Sequence, residues 1–105
     1  MASGLSGMMK GLEEAIIQYT ATKVTSLIMK GISEEKAKAD LLTNARVAAS
    51  QGDANEQNFL GCLYYFGSQI LGIDKNQNEG LYWWTKSASQ GNEHAKEVLQ
   101  EVRGY

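Results

Sequence analysis

Proline is absent from the 105 residues of this chain, and cysteine and histidine occur once each, as Cys62 and His94. Without proline, the strongest breaker of helix interiors, glycine is left to end the helices. A single cysteine excludes a disulfide within the chain. One histidine, one cysteine and scattered carboxylates supply neither a set of metal ligands nor a nucleophile beside its base. We therefore expect no enzyme activity, no metal and no cofactor.

An excess of one charge and a long apolar run are missing as well. Ten Lys and Arg against twelve Asp and Glu give a net charge of -2 without a basic cluster, so we expect no binding to nucleic acid. No segment approaches the roughly 18 apolar residues of a membrane span. Glu13 and Glu14 interrupt the region where a signal peptide is most apolar. These patterns predict a cytoplasmic protein that does not enter a membrane.

The tetrapeptide Ala-Ser-Gln-Gly occurs twice, at residues 49–52 and 88–91. Each copy closes an apolar helical stretch, and a helix-starting residue, Asp53 or Asn92, follows it. The offset between the copies is 39 residues. Self-similarity at a period of about 20–50 residues is typical of helical repeat arrays, in which stacked hairpins complete one another's core.

Apolar periodicity and the glycines predict five helices and an all-α fold. The helices run from about Met8 to Lys30, from Ser33 to Gly52, from Asp53 to Gly67, from Asn78 to Gln90, and from Asn92 onward. Residues 67–78 form the long loop, in which Ile70, Leu71 and Ile73 are expected to fold beneath the helices. We predict stacked antiparallel helix hairpins, folded as one domain over residues 1–105.

Two motifs, LGCLYYFG at residues 60–67 and WWTKSASQG at residues 83–91, lie on the third and fourth helices. With the preceding Ala-Ala-x-x-Gly, they resemble the Sel-one-like repeat, a relative of the tetratricopeptide repeat. The resemblance implies a short right-handed superhelix of these hairpins. It also implies a terminal helix pair over residues 1–51, one complete repeat over 52–91 and a capping helix over 92–105. The segment GSQILGI departs from the family by an insertion of about three residues. The matching positions are Ala49, Gly52, Leu60, Gly61, Tyr64, Gly67, Trp83, Ala88, Gly91 and Ala95.

The resemblance implies a non-catalytic module that holds another protein on its helical surface. Such modules act as adaptors and, in bacteria, as immunity-type proteins that neutralise effectors. A different possibility stays open. So short a stack exposes its terminal helices, and a second copy could complete it, which would make the protein a self-assembling structural subunit.

The aromatic residues divide into predicted core and predicted contacts. Tyr64 and Trp83 occupy core positions of the Sel-one-like repeat, and Trp84 falls on a second inward-facing side of the fourth helix. Tyr65 and Tyr82 fall on the remaining helical faces. Because tyrosine is enriched at interface hot spots, we predict that these two contact a partner.

The first helix carries apolar residues on more than one side, including Met8, Met9 and Ile17. One neighbouring helix cannot cover them all, so this helix is either a cap across the first hairpin or a docking surface for a partner. The remaining candidates have plainer interpretations. We expect His94 to be exposed to solvent and Cys62 to be a small buried filler.

Overall fold

The computed structural model describes residues 6–104 and contains five helices. They are α1 (Gly7–Met29), α2 (Glu34–Ser50), α3 (Ala54–Phe66), α4 (Gln77–Ser89) and α5 (Glu93–Arg103). Across these residues the only β pairing is an isolated antiparallel bridge between Ser68 and Ile73. The predicted all-α fold is therefore confirmed. None of the helices in this part of the chain is long and apolar enough to cross a membrane.

Each helix begins at a side chain that accepts a hydrogen bond from the backbone amide three residues later, which satisfies one of the unpaired donors of the first turn. In α4 this residue is Asn76, whose Oδ1 accepts from the amide of Glu79 at 3.1 Å. The helix therefore starts one residue earlier than predicted. The capping residues are Ser6, Ser33, Asp53, Asn76 and Asn92.

Three helices end in the same turn. Gly31, Gly52 and Gly91 have φ values of 95°, 103° and 98°, a region that residues with a Cβ rarely adopt. After each glycine, the next amide bonds back to a carbonyl in the last turn of the helix, as Asp53 does to Ala48 and Asn92 does to Ser87. At Gly52 and Gly91, this turn is the structural counterpart of the repeated Ala-Ser-Gln-Gly.

The contacts between helices show a consecutive stack with one helix laid across it. Contact is most extensive between α3 and α4, with α2 packed on α3 and α5 packed on α4. Helix α1 touches α2, α3 and α5. The molecule measures 45 × 32 × 20 Å.

The core has two parts, one on each side of α3. One joins the first half of α1, through Met9 and Leu12, to buried residues of α3, α4 and α5. The other joins Ala45 and Ala49 of α2 to the side of α3 that carries Leu60. Because α3 packs on both sides, most of its side chains are buried.

Candidate functional site

The centre of the α3–α4 hairpin is Trp84, which is fully buried. Its indole ring lies directly over Gly61 of α3, where an added Cβ would overlap the ring. One turn before the tryptophan, a Cβ at Gly80 would lie 2.7 Å from both the backbone nitrogen and the Cβ of Tyr65. The two glycines therefore let the helices approach closely.

Tyr64 and Trp83 are only half-buried, so the prediction that they are core residues is only partly correct. Their rings pack against the α2–α3 part of the core, while their polar ends reach the surface. The Tyr64 hydroxyl accepts from the Arg46 guanidinium at 2.9 Å, and the Trp83 indole N–H donates to the Glu79 carboxylate at 3.1 Å. The amphipathic rings are thus held at the edge of the core by their polar atoms.

Two of the predicted partner contacts are wrong, because they are buried. Tyr65 is 9% exposed and its ring lies 4.9 Å from that of Trp84, between α3 and α4. Met9 is 4% exposed and belongs to the same part of the core. The sequence signal for the burial of Tyr65 was Gly80, since a glycine within a helix often marks the close passage of another backbone.

The other three predicted contacts, Met8, Ile17 and Tyr82, are exposed, and their role stays a prediction. The Tyr82 side chain is 51% exposed on α4, with the Lys86 ammonium 5.5 Å from the centre of its ring. Ile17 is 45% exposed on α1. Sequence reasoning missed the exposed Val47, Ile28 and Tyr19.

The repeat signature divides between buried residues and turns. Gly52, Gly67 and Gly91 have positive φ and shape the turns, and Ala88 is half-buried against the core. The positions that are fully buried are Ala49, Leu60, Gly61 and Ala95.

One groove of the molecule lies between α1 and the α3–α4 loop; we call it the loop groove. Its volume is about 510 Å³. The inserted loop forms one wall, because Ser68 and Ile73 bond to each other's backbone, both at 2.8 Å. The predicted folding-under of the loop is seen for Leu71 and Ile73, which pack against the core. The apolar lining consists of Ile16, Ile17, Phe66, Ile70 and Ile73, and the charged lining of Glu13, Asp74 and Lys75.

A second groove of about 370 Å³ lies in the angle between α1 and α2 and is closed by the first turns of α3. We call it the lysine groove, after Lys23 and Lys30 on its α1 side. The Tyr19 and Phe59 rings pack edge to face in the lining of this groove, with 5.2 Å between their centres. Burial, followed by the neighbouring Asp53, raises the pKa of Glu56 above its ordinary value, while Lys23 opposes the shift. The remaining lining comes mainly from Leu27, Leu41, Asn44, Ala45 and Ala48.

Cys62 and His94 have structural roles. Cys62 is fully buried, as predicted, and burial raises the pKa of its thiol to about 12, so the thiol stays protonated. His94 is half-buried rather than exposed, because its Nδ1 pairs with the Asn58 side chain of α3 at 3.0 Å. Within residues 6–104, His, Cys, Asp and Glu form no group of three that could hold a metal ion.

Residues 57–92 match the model of the Sel1 repeat family. The match begins in the first turn of α3 and ends at the residue that caps α5, so it covers the hairpin built around Trp84. A curated relative is the ERAD-associated E3 ubiquitin-protein ligase component HRD3A of Arabidopsis thaliana, which is 32% identical over 54 residues. These residues are 51% of this chain and 8% of the relative, so the chain spans only a small part of that protein. No solved structure matches the chain significantly. The chain therefore contains a Sel1-like repeat at residues 57–92, and this type of repeat is a protein-interaction module.

Proposed function

We propose that this protein is a non-catalytic adaptor that holds a protein partner in the loop groove. The observation that carries the proposal is the groove itself, where apolar side chains of α1 and of the inserted loop face one open space. Binding sites are typically concave and apolar, with a few polar groups that set orientation. Glu13, Asp74 and Lys75 supply such groups.

The fold supports this use of the groove. A loop held by a rigid scaffold is a common place for binding residues, because its side chains can vary without disturbing the core. Here the scaffold is the α3–α4 hairpin, and the amide of Asn76 anchors the end of the loop by donating to the carbonyl of Tyr64. Ile17 on α1 and Ile70 in the loop then provide apolar contact from two separate elements.

The process in which the adaptor acts is a separate proposal, with two alternatives. HRD3A is named as a component of an E3 ubiquitin-protein ligase, which supports an adaptor role within a larger assembly. The immunity-type role, in which a bacterial protein neutralises an effector, rests on the family resemblance described above. We propose a cytoplasmic location for either role.

The test is affinity purification from the native cell with matched variants of the full chain. Ile17→Asp places a charge in the loop groove, and Val47→Asp places the same charge on an equally exposed position of α2. We expect Ile17→Asp to lose the specific partner, with Kd raised at least about tenfold. Val47→Asp should bind as the unmodified chain does. Equal binding by both variants at unchanged helicity would show that the loop groove is not the contact.

Self-assembly remains the second candidate, and one observation favours it. Met29, at the end of α1, is 82% exposed, with the exposed Ile28 beside it. The outward side of α5, in contrast, carries the exposed polar residues Lys96, Glu97 and Gln100, which suits a capping helix. Assembly would therefore use the α1–α2 end. Light scattering should then show a dimer that Met29→Lys dissociates, and a monomer at every concentration would exclude this candidate.

A further inference from the structure

We propose that the lysine groove is a second binding site, which takes an acidic peptide segment carrying one apolar side chain. The inference rests on the proposed function in one respect, namely that the ligand is part of a protein. It names a different surface from the loop groove and adds the chemistry of the ligand.

The positive side of the groove is built by one helix. Lys23 lies on α1, and Lys30 caps the end of this helix about two turns later, so their Cα atoms are separated by about 10 Å along the helix axis. Neither forms a salt bridge within residues 6–104, whereas Lys36, Lys38 and Lys96 each pair with a carboxylate. Two lysines that form no salt bridge in this part of the chain thus line one groove, with the Lys23 ammonium 5.6 Å from the centre of the Tyr19 ring. Their spacing suits two acidic side chains of one peptide.

The floor between the lysines is apolar and recessed. Leu27, Leu41 and Phe59 supply large side chains, while Ala45 and Ala48 are small and leave a depression. An aliphatic side chain of a peptide would bury its surface there. A segment with acidic residues on both sides of a leucine therefore matches the order of charge and apolar surface along the groove.

The same features favour a peptide over a nucleic acid. Glu56 lines the groove near Lys23 and would repel a continuous row of phosphates. The chain as a whole carries a net charge of -2. A peptide can place an uncharged residue opposite Glu56 and keep its carboxylates at the lysines, which an evenly charged backbone cannot do.

The experiment measures fluorescence anisotropy of a labelled peptide, Glu-Asp-Glu-Leu-Glu-Asp-Glu, with the full chain. The groove variant is Lys23→Glu with Lys30→Glu. Its matched control is Lys10→Glu with Lys86→Glu, which changes the net charge equally at exposed lysines outside the groove. We expect the groove variant to raise Kd at least tenfold and the control to change it less than threefold. Replacing the peptide leucine by serine should also weaken binding several-fold.

Three results would overturn the inference: no binding of the acidic peptide, equal weakening by both double variants, or tighter binding of a single-stranded RNA of seven nucleotides. Ile17→Asp separates this inference from the proposed function, because it should leave peptide binding unchanged while it removes the partner from the loop groove. If Ile17→Asp retains the partner, the loop-groove proposal fails, and the peptide measurement still decides the lysine groove.

Discussion

The two hairpins of this protein pack in different ways. In the α3–α4 hairpin, Gly61 and Gly80 bring the backbones close, and Trp84 fills the space between the helices. The α1–α2 hairpin has less extensive contact and leaves the lysine groove between its helices. Gly11 of α1 illustrates the difference, since nothing lies within 4 Å of where its Cβ would be. The difference shows that the hairpin with most of the repeat signature is closely packed, while the hairpin that mostly lacks it leaves a groove between its helices.

Replacement of the two adjacent tryptophans tests this comparison most strongly. Trp84→Ala should cost about 3–5 kcal/mol of unfolding free energy, because it empties a fully buried site. Trp83→Ala should cost at most about half as much, since Trp83 is half-buried and water can fill the space that its side chain leaves. Urea unfolding followed by circular dichroism measures both. Equal losses would show that the hairpin is not organised around Trp84.

The glycines give a pair of substitutions with opposite expected signs. Gly80→Ala should destabilise the fold by about 1–3 kcal/mol, because the new methyl group meets the backbone and Cβ of Tyr65. Gly11→Ala, the same change in a helix with open space, should stabilise it by about 0.5–1 kcal/mol. Both are read from the urea midpoint. Two changes of the same sign would contradict the assignment of close and loose packing.

The junction between the two regions depends on a buried side chain, Gln57. Its Nε2 donates to the carbonyl of Ala49 at 3.0 Å, and its Oε1 accepts from Gln90 at 2.8 Å. Gln57→Ala should cost about 1–3 kcal/mol, because it removes two hydrogen bonds made by a buried side chain, one to Ala49 and one from Gln90. Asn55→Ala, which removes an exposed bond to Asn92, is the control and should cost less than about 0.5 kcal/mol. A similar loss of stability for both variants would show that the junction does not depend on Gln57.

The smallest expected effect concerns Glu56, where the two regions meet. Burial and Asp53 raise its pKa above the ordinary 4.5, so the folded state holds this proton more tightly than the unfolded chain. Glu56 therefore favours folding at low pH, and this contribution is lost as pH rises through the raised pKa.

Glu56→Gln should accordingly stabilise the fold slightly at pH 7, by less than about 0.5 kcal/mol. At about pH 3.5 it should have no effect, since the carboxyl group is then protonated in both states. Urea midpoints at the two pH values measure the difference. A destabilisation that grows with pH would mean that Lys23 outweighs burial at this site.

The elements of the fold were readable from the sequence because the signals are local. Asp53 and Asn92 cap helices, and Gly52 and Gly91 end them, through bonds made within a few residues. The errors concerned burial, because the sequence did not show which of two adjacent aromatic residues faces the core. Tyr64 and Tyr65 differ by about 100° around one helix, and a sequence pattern does not say how many sides of α3 are covered.

The candidate site was readable only in part. Ile17 was identified because it lies on an apolar side of α1 that one neighbour cannot cover. The grooves themselves were not, since the loop groove joins α1 to a loop about 50 residues later in the chain. Lys23 and Lys30 look like ordinary solvated charges until α2 and α3 supply the opposite walls.

The sequence by itself therefore determined the five helices, their turns and the Sel1-like hairpin, because capping, glycine conformation and apolar period act over a few residues. Tertiary structure decided which aromatic is the core, which residues are exposed and where the grooves lie. Those features depend on the path of α1 across α3 and α5, and that path is set by packing between residues as far apart as Met9 and Leu99.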